Sequence, residues 1–173
     1  LQRSSREVAA RRLHGCWRRL SVHSISLQGE FLGYTLDLDN LRVEQIPDIS
    51  ASFGHVAELK ARNMQLTPAH VDALLNNFPN LRSLGLGFNE LQSLPESIGR
   101  MTLLTELSLS HNPLSWTAAC NAILLNLRRL EVLDLNYCSL GSQARLTALN
   151  SLRMLFLRST GIETLPVWNW RRS

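Results

Sequence analysis

The sequence holds three cysteines and five histidines among 173 residues, and their spacing assembles none of the familiar reacting sets. A nucleophile needs a base in reach and a third group to orient that base. Cys16, Cys120 and Cys138 stand at unrelated intervals, and none has such a pair beside it. Their odd number, and the absence of any Asn-x-Ser/Thr acceptor, point to a reducing compartment and not to a disulfide framework. Cys16 does precede Arg18 and Arg19, whose charges would depress a thiol pKa if they faced it. His14 and His23 lie without a second pair of ligand-type residues, so no metal site is expected. No glycine-rich phosphate loop, paired-carboxylate motif or HExxH is present, and no cofactor is expected. The chemistry left to the chain is recognition, through rings that recur at a regular interval: Phe88, His111 and Tyr137.

What would bring those rings together is a repeat. The run from Leu81 to Pro95 reads L-x-x-L-x-L-x-x-N-x-L-x-x-L-P, and copies start at Gly33, Val56, Leu81, Leu104, Leu130 and Leu152, each 22 to 26 residues after the last. In each copy two alternating residues suit a short strand with one buried face: Leu36/Leu38, Leu59/Ala61, Leu84/Leu86, Leu107/Leu109, Leu133/Leu135 and Leu155/Leu157. Three residues after the second of each pair stands Leu41, Met64, Asn89, Asn112, Cys138 or Thr160. The last four can donate a hydrogen bond along a stack, whereas the first two would seal an edge with apolar side chains. No such unit is stable alone, so the copies must stack. The fold expected is an α/β solenoid, an arc of about six repeats over residues 31–166 with a concave parallel sheet. Thr67-Pro68 followed by apolar residues at 71, 74, 75 and 78 marks a convex-face helix, and Ser115 to Leu127 reads the same way. Ile46-Pro47 and Leu94-Pro95 belong to compact turns.

Residues 1–30 are expected to be a capping helix and its connector. Ser4-x-x-Glu7 has the form of a capping box, and Val8, Ala9, Leu13, Cys16, Trp17 and Leu20 recur at helical spacing to cover the first repeat, with Trp17 as anchor. Six arginines fall within residues 1–20 against one glutamate, which leaves nucleic acid or an acidic membrane surface as the alternative partner. Lys60 is the only lysine among 18 basic residues. Residues 167–173 read as a truncated end, and the apolar Leu165 and Trp168 that follow the last strand would promote self-association. No leader or membrane span is legible, so the expected location is cytoplasmic or, after secretion, inside a host cell.

On the exposed strand face, the outermost position reads Asn40, Asn63, Phe88, His111, Tyr137, Ser159. The position between the paired leucines reads Asp37, Lys60, Gly85, Ser108, Asp134, Phe156, and the next Asp39, Arg62, Gly87, Ser110, Asn136, Arg158. Phe88, His111 and Tyr137 would form a stripe, with Ser108, Asp134, Asn136, Phe156 and Arg158 as its rim beside a low floor of glycine and serine. An aromatic cluster with a polar rim suits the docking of a protein partner.

These repeats resemble the leucine-rich repeat superfamily over about three quarters of the chain. More narrowly, Trp17-Arg-Arg, Leu36-Asp-Leu, Leu41-Arg-Val, Ile46-Pro47, Phe53-Gly-His-Val56 and Phe78-Pro-Asn-Leu-Arg-Ser-Leu84 resemble the repeat region of bacterial effector-like proteins of the Pseudomonas type, which carry a C-terminal novel-type ubiquitin ligase domain. That resemblance implies that the repeats select a host target while a separate domain holds a catalytic Cys-x-Asp. Neither Cys16, Cys120 nor Cys138 is followed by Asp two residues on, so no ligase activity is expected of these residues themselves.

Overall fold

The computed structural model describes residues 2–163. Helix α1 (Gln2–Trp17) leads into strands β1 (His23–Ile25) and β2 (Phe31–Asp37), followed by β3 (Val56–Lys60), helix α2 (Pro68–Leu75), β4 (Ser83–Gly85), β5 (Glu106–Ser108), helix α3 (Ala118–Leu125), β6 (Val132–Asp134) and β7 (Met154–Phe156). The strands form one sheet in chain order. β2 to β7 are parallel, and the register sets Leu36, Leu59, Leu84, Leu107, Leu133 and Leu155 side by side. Parallel neighbours need a crossover between them. Here that crossover is α2 or α3 in the long repeats and a 3-10 turn at 43–45, 96–100 or 146–148 in the short ones.

The leucines beneath the sheet make one continuous core with Phe78, Ile98, Leu124 and their neighbours on the return side. The ladder residues tie the repeats together below the sheet. Asn89 accepts from the N–H of Met64 at 3.0 Å and of Leu66 at 3.1 Å, and donates to Ala61 O at 2.8 Å and Leu86 O at 3.0 Å. Asn112 does the same for Leu91 and Leu86. The Cys138 thiol donates back to Leu109 O at 3.1 Å. Thr160 differs from the sequence expectation: its short hydroxyl reaches only Leu157 O of its own repeat, at 2.9 Å. Thr67 caps α2 as expected, accepting from His70 N–H at 3.4 Å with Pro68 as the first helical residue. α3 begins at Ala118 and not at Ser115, because Ser115 is drawn into a parallel bridge with Ser139.

The N-terminal region departs further from the sequence reading. The sheet has a seventh strand, β1, antiparallel to β2, where only a connector was expected. α1 already runs through Ser4, so Ser4 and Glu7 are not its capping box. Its buried residues are Ala9, Leu13 and Cys16, which lie over β2, while Leu20 falls beyond the helix and is exposed. Trp17 remains 47% exposed and touches the core with its edge, 5.4 Å from the Phe53 ring. Expectations resting on Leu165, Pro166, Trp168 and residues 167–173 lie outside the described residues.

Candidate functional site on the concave face

The parallel register brings Asp37, Lys60, Gly85, Ser108, Asp134 and Phe156 into one row across the concave face. Beyond the strand ends the rungs continue: the N–H of Phe88 donates to Ser110 O, that of His111 to Asn136 O and that of Tyr137 to Arg158 O, at 2.8 to 2.9 Å. These bonds fix the row of rings. Phe88 and His111 stack at 4.1 Å between centroids, 10° from parallel, and His111 and Tyr137 stack at 4.2 Å and 26°. The Arg158 guanidinium lies 5.9 Å from the Tyr137 centroid and closes that end of the stack as a cation over a ring face. Phe88 is 55% and Tyr137 41% exposed, so the stack presents ring edges to solvent. His111 Nδ1 is covered within it and has no hydrogen-bond partner among the described residues.

The backbone beneath the stripe carries a signal that the sequence pattern did not reveal. Asn40, Asn63, Phe88, His111, Tyr137 and Ser159 all have φ between 53° and 66°, the left-handed region. Asn tolerates that conformation, whereas a bulky side chain there is unusual. The asparagines at 40 and 63 were the available clue.

The expected rim divides in two. Ser108 Oγ donates to Asp134 Oδ2 at 3.3 Å, and both flank the glycine floor. The Asn136 side-chain oxygen accepts the N–H of Arg158 at 2.7 Å, and Asp134 Oδ1 accepts that of Asn136 at 3.0 Å, so these two also hold the backbone in place. Phe156 lies next to Asp134 in the row and outside the ring stack. A feature missed by the expected site is the equivalent arrangement at the other end. Asp39 accepts the N–H of Arg62 at 2.8 Å and pairs with its guanidinium at 2.9 and 2.7 Å. That carboxylate raises the Arg62 pKa. Arg12 of α1 reaches the same edge, donating to Asp37 O at 3.1 Å.

The Cys16 and Cys138 thiols are not poised for reaction. Burial pushes the Cys138 pKa up to about 11, against a smaller lowering by its backbone hydrogen bond. Burial likewise raises that of Cys16, so the depression expected from Arg18 and Arg19 is not found: both arginines are exposed, while the thiol is turned into the core beside Thr35 O. Among the described residues no group of three or more His, Cys, Asp or Glu side chains is placed to hold a metal ion, and no helix is long and apolar enough to cross a membrane.

A curved parallel sheet, an asparagine ladder and returns that alternate between helix and turn define this chain as a leucine-rich repeat arc. Comparison with known proteins agrees. Chaoptin of Tribolium castaneum is 27% identical over 159 residues, covering 88% of this chain and 20% of chaoptin. An internalin of Listeria monocytogenes strain 4b F2365 superposes with a TM-score of 0.57 at 25% identity, over 73% of this chain and 35% of the internalin. A leucine-rich repeat protein of Leptospira interrogans gives a TM-score of 0.48 at 28% identity, over 66% of this chain and 34% of its own. No protein-family profile matches. The chain thus spans about a fifth of the curated relative and about a third of each solved structure. The likenesses to chaoptin and the internalin support placing it in the leucine-rich repeat superfamily.

Proposed function

We propose that this chain is a protein-recognition module and that its partner docks on the concave face against Phe88, His111 and Tyr137, with Ser108, Asp134, Asn136, Phe156 and Arg158 at the rim. The observation that carries this reading is the stack of three rings, Phe88 and Tyr137 exposed and His111 half-buried between them, each on a left-handed backbone. A side chain in that conformation costs roughly 1 to 2 kcal/mol. Aromatic stacking returns about 0.5 to 1.5 kcal/mol per pair. Folding therefore gains little from rings where Asn would serve, and strain kept at an exposed cluster points to binding. The finer reading is that the module selects a host protein for a larger bacterial effector-like protein with a ubiquitin ligase domain. It rests on the sequence resemblance, and the single lysine suits it, since arginines offer a ligase on the same polypeptide no acceptor amine. The cytoplasm, or a host cell after secretion, is the corresponding location.

The test compares Phe88→Asn and Tyr137→Asn with the parent chain. Asn suits the backbone at both positions, so the melting temperature should not fall. Affinity for a partner isolated with the parent chain should drop about thirtyfold or more, the loss of about 2 kcal/mol typical of a central aromatic contact. Affinity within twofold of the parent would sink the concave site. The alternative partner, nucleic acid on the arginines of α1, would instead show binding that weakens steeply with salt.

A further inference from the structure

Among the described residues no strand pairs with the outer side of β1, so the N-terminal end of the sheet is an open edge. β1 commits its inner side to β2, with Thr35 N–H donating to Val22 O and Ser26 N–H to Glu30 O, both at 2.8 Å. Antiparallel alternation then turns the N–H and C=O of His23 and Ile25 to the free side. Sheet edges are ordinarily protected by shortness or by a lysine, a proline or a bulge on the outer strand; β1 is short, at three residues, but His23-Ser24-Ile25 carries none of the others, and the irregularity lies across from it, at Leu32 of β2. The hairpin is well held, since the His23 ring packs edge-on against Phe31 at 5.0 Å and Tyr34 at 5.1 Å. Around the free edge Leu20, Val22 and Ile25 are mostly exposed, and Leu27 at the turn is 97% exposed. Arginines border these apolar groups. Arg11 and Arg12 line a groove of about 510 Å³ with Leu20 and Val22, where Asp37, to which Arg12 is bonded, and the Glu58–Lys60 pair also stand, and Arg19 lines another of about 430 Å³ with Phe31 and Tyr34.

We propose that an extended acidic segment of a protein partner adds to β1 as an eighth strand, a second docking surface separate from the concave stripe. Its backbone would pair with His23 and Ile25, its apolar side chains would cover Ile25 and Leu27 on one face of β1, and its carboxylates would approach the bordering Arg11 and Arg19. Charge and hydrogen bonding select this occupant. A second copy paired edge to edge would bring two arginine-rich helices together. A lipid surface would take Leu27 but leave the outward N–H and C=O groups without partners in hydrocarbon.

The 173-residue chain can be titrated, by fluorescence anisotropy, with labelled ten-residue peptides in which valine alternates with glutamate or with lysine. The glutamate peptide should bind at least tenfold more tightly than the lysine peptide. Ile25→Pro removes an outward N–H without breaking a bond to β2, and should weaken glutamate-peptide binding tenfold or more. The Arg11→Glu/Arg19→Glu variant should reverse the peptide preference, and it keeps the test decisive if the proline loosens the hairpin. Equal binding of the two peptides overturns the proposal, as does a glutamate-peptide affinity unmoved by both variants. So does concentration-dependent dimerisation lost in Ile25→Pro, which assigns the edge to a second copy. Partition onto phosphatidylserine vesicles that exceeds glutamate-peptide binding and survives Ile25→Pro would assign it to lipid.

Discussion

At Phe88, His111 and Tyr137 the backbone conformation is set by the repeat and not by the residue, because Asn40, Asn63 and Ser159 adopt it too. A side chain at this position is turned out of the sheet at the end of each rung, so whatever occupies it is displayed. Cys138, one residue after Tyr137, has the opposite situation, buried and bonded to Leu109 O. Its raised pKa has a consequence for stability. In the unfolded chain a thiol ionises near 9, whereas in the folded protein Cys138 holds its proton to about 11. Across that interval the unfolded state binds fewer protons, so stability falls as pH rises, by roughly 1.4 kcal/mol per unit. Urea unfolding at pH 8 and pH 10.5 should differ by about 2 kcal/mol more for the parent chain than for Cys138→Ser, whose hydroxyl keeps a donor for Leu109 O and does not titrate in this range. An identical pH dependence in the two proteins would show that the thiol is not so held.

Between repeats, stability rests on the leucine rows and on the ladder residues, and the ladder is unequal along the stack. Asn89 serves backbone groups on two repeats, so Asn89→Ala would strand the buried N–H groups of Met64 and Leu66. Each orphaned group costs about 1 to 3 kcal/mol. The substitution should therefore destabilise the chain by roughly 3 to 5 kcal/mol. Thr160→Ala breaks one bond within its own repeat and should cost about 1 kcal/mol. Chemical denaturation of the two variants gives the comparison directly, and similar losses would show that the ladder does not couple neighbouring repeats. Gly33 plays a different structural part at the head of β2. Its φ is 146°, and a Cβ there would stand 2.7 Å from His55 O, so no other residue lets β2 approach β3 so closely.

For the molecule as a whole, a solenoid core is covered only by its neighbours and its caps. α1 lies over β2 and buries Ala9, Leu13 and Cys16 with the first repeat. Deleting residues 1–20 should uncover apolar core, lower the melting temperature by several degrees and make the sedimentation coefficient rise with concentration. A shortened chain as stable and monodisperse as the parent would show that the first repeat is self-sealing. The same deletion removes the arginines that border β1, so it also separates the cap's structural part from any part in binding.

The repeat period, the leucine rows, the parallel order of the strands and the row of three rings were all legible in the sequence, because each follows from a template repeated at nearly constant length. Leu84, Leu107 and Leu133 can be buried together in only one register, and that register aligns Phe88, His111 and Tyr137. What lay outside the repeat was not legible. Periodicity identified a helix before the first repeat but set neither its ends nor the exposure of Trp17 and Leu20, and it said nothing of the hairpin formed by β1. The pairing of β1 with β2 joins a three-residue strand to a bulged one through contacts that no repeated pattern encodes. The bond from the Arg158 N–H to Asn136 and the reach of Thr160 likewise depended on distances of a few tenths of an ångström. Only the packed tertiary structure fixes those quantities.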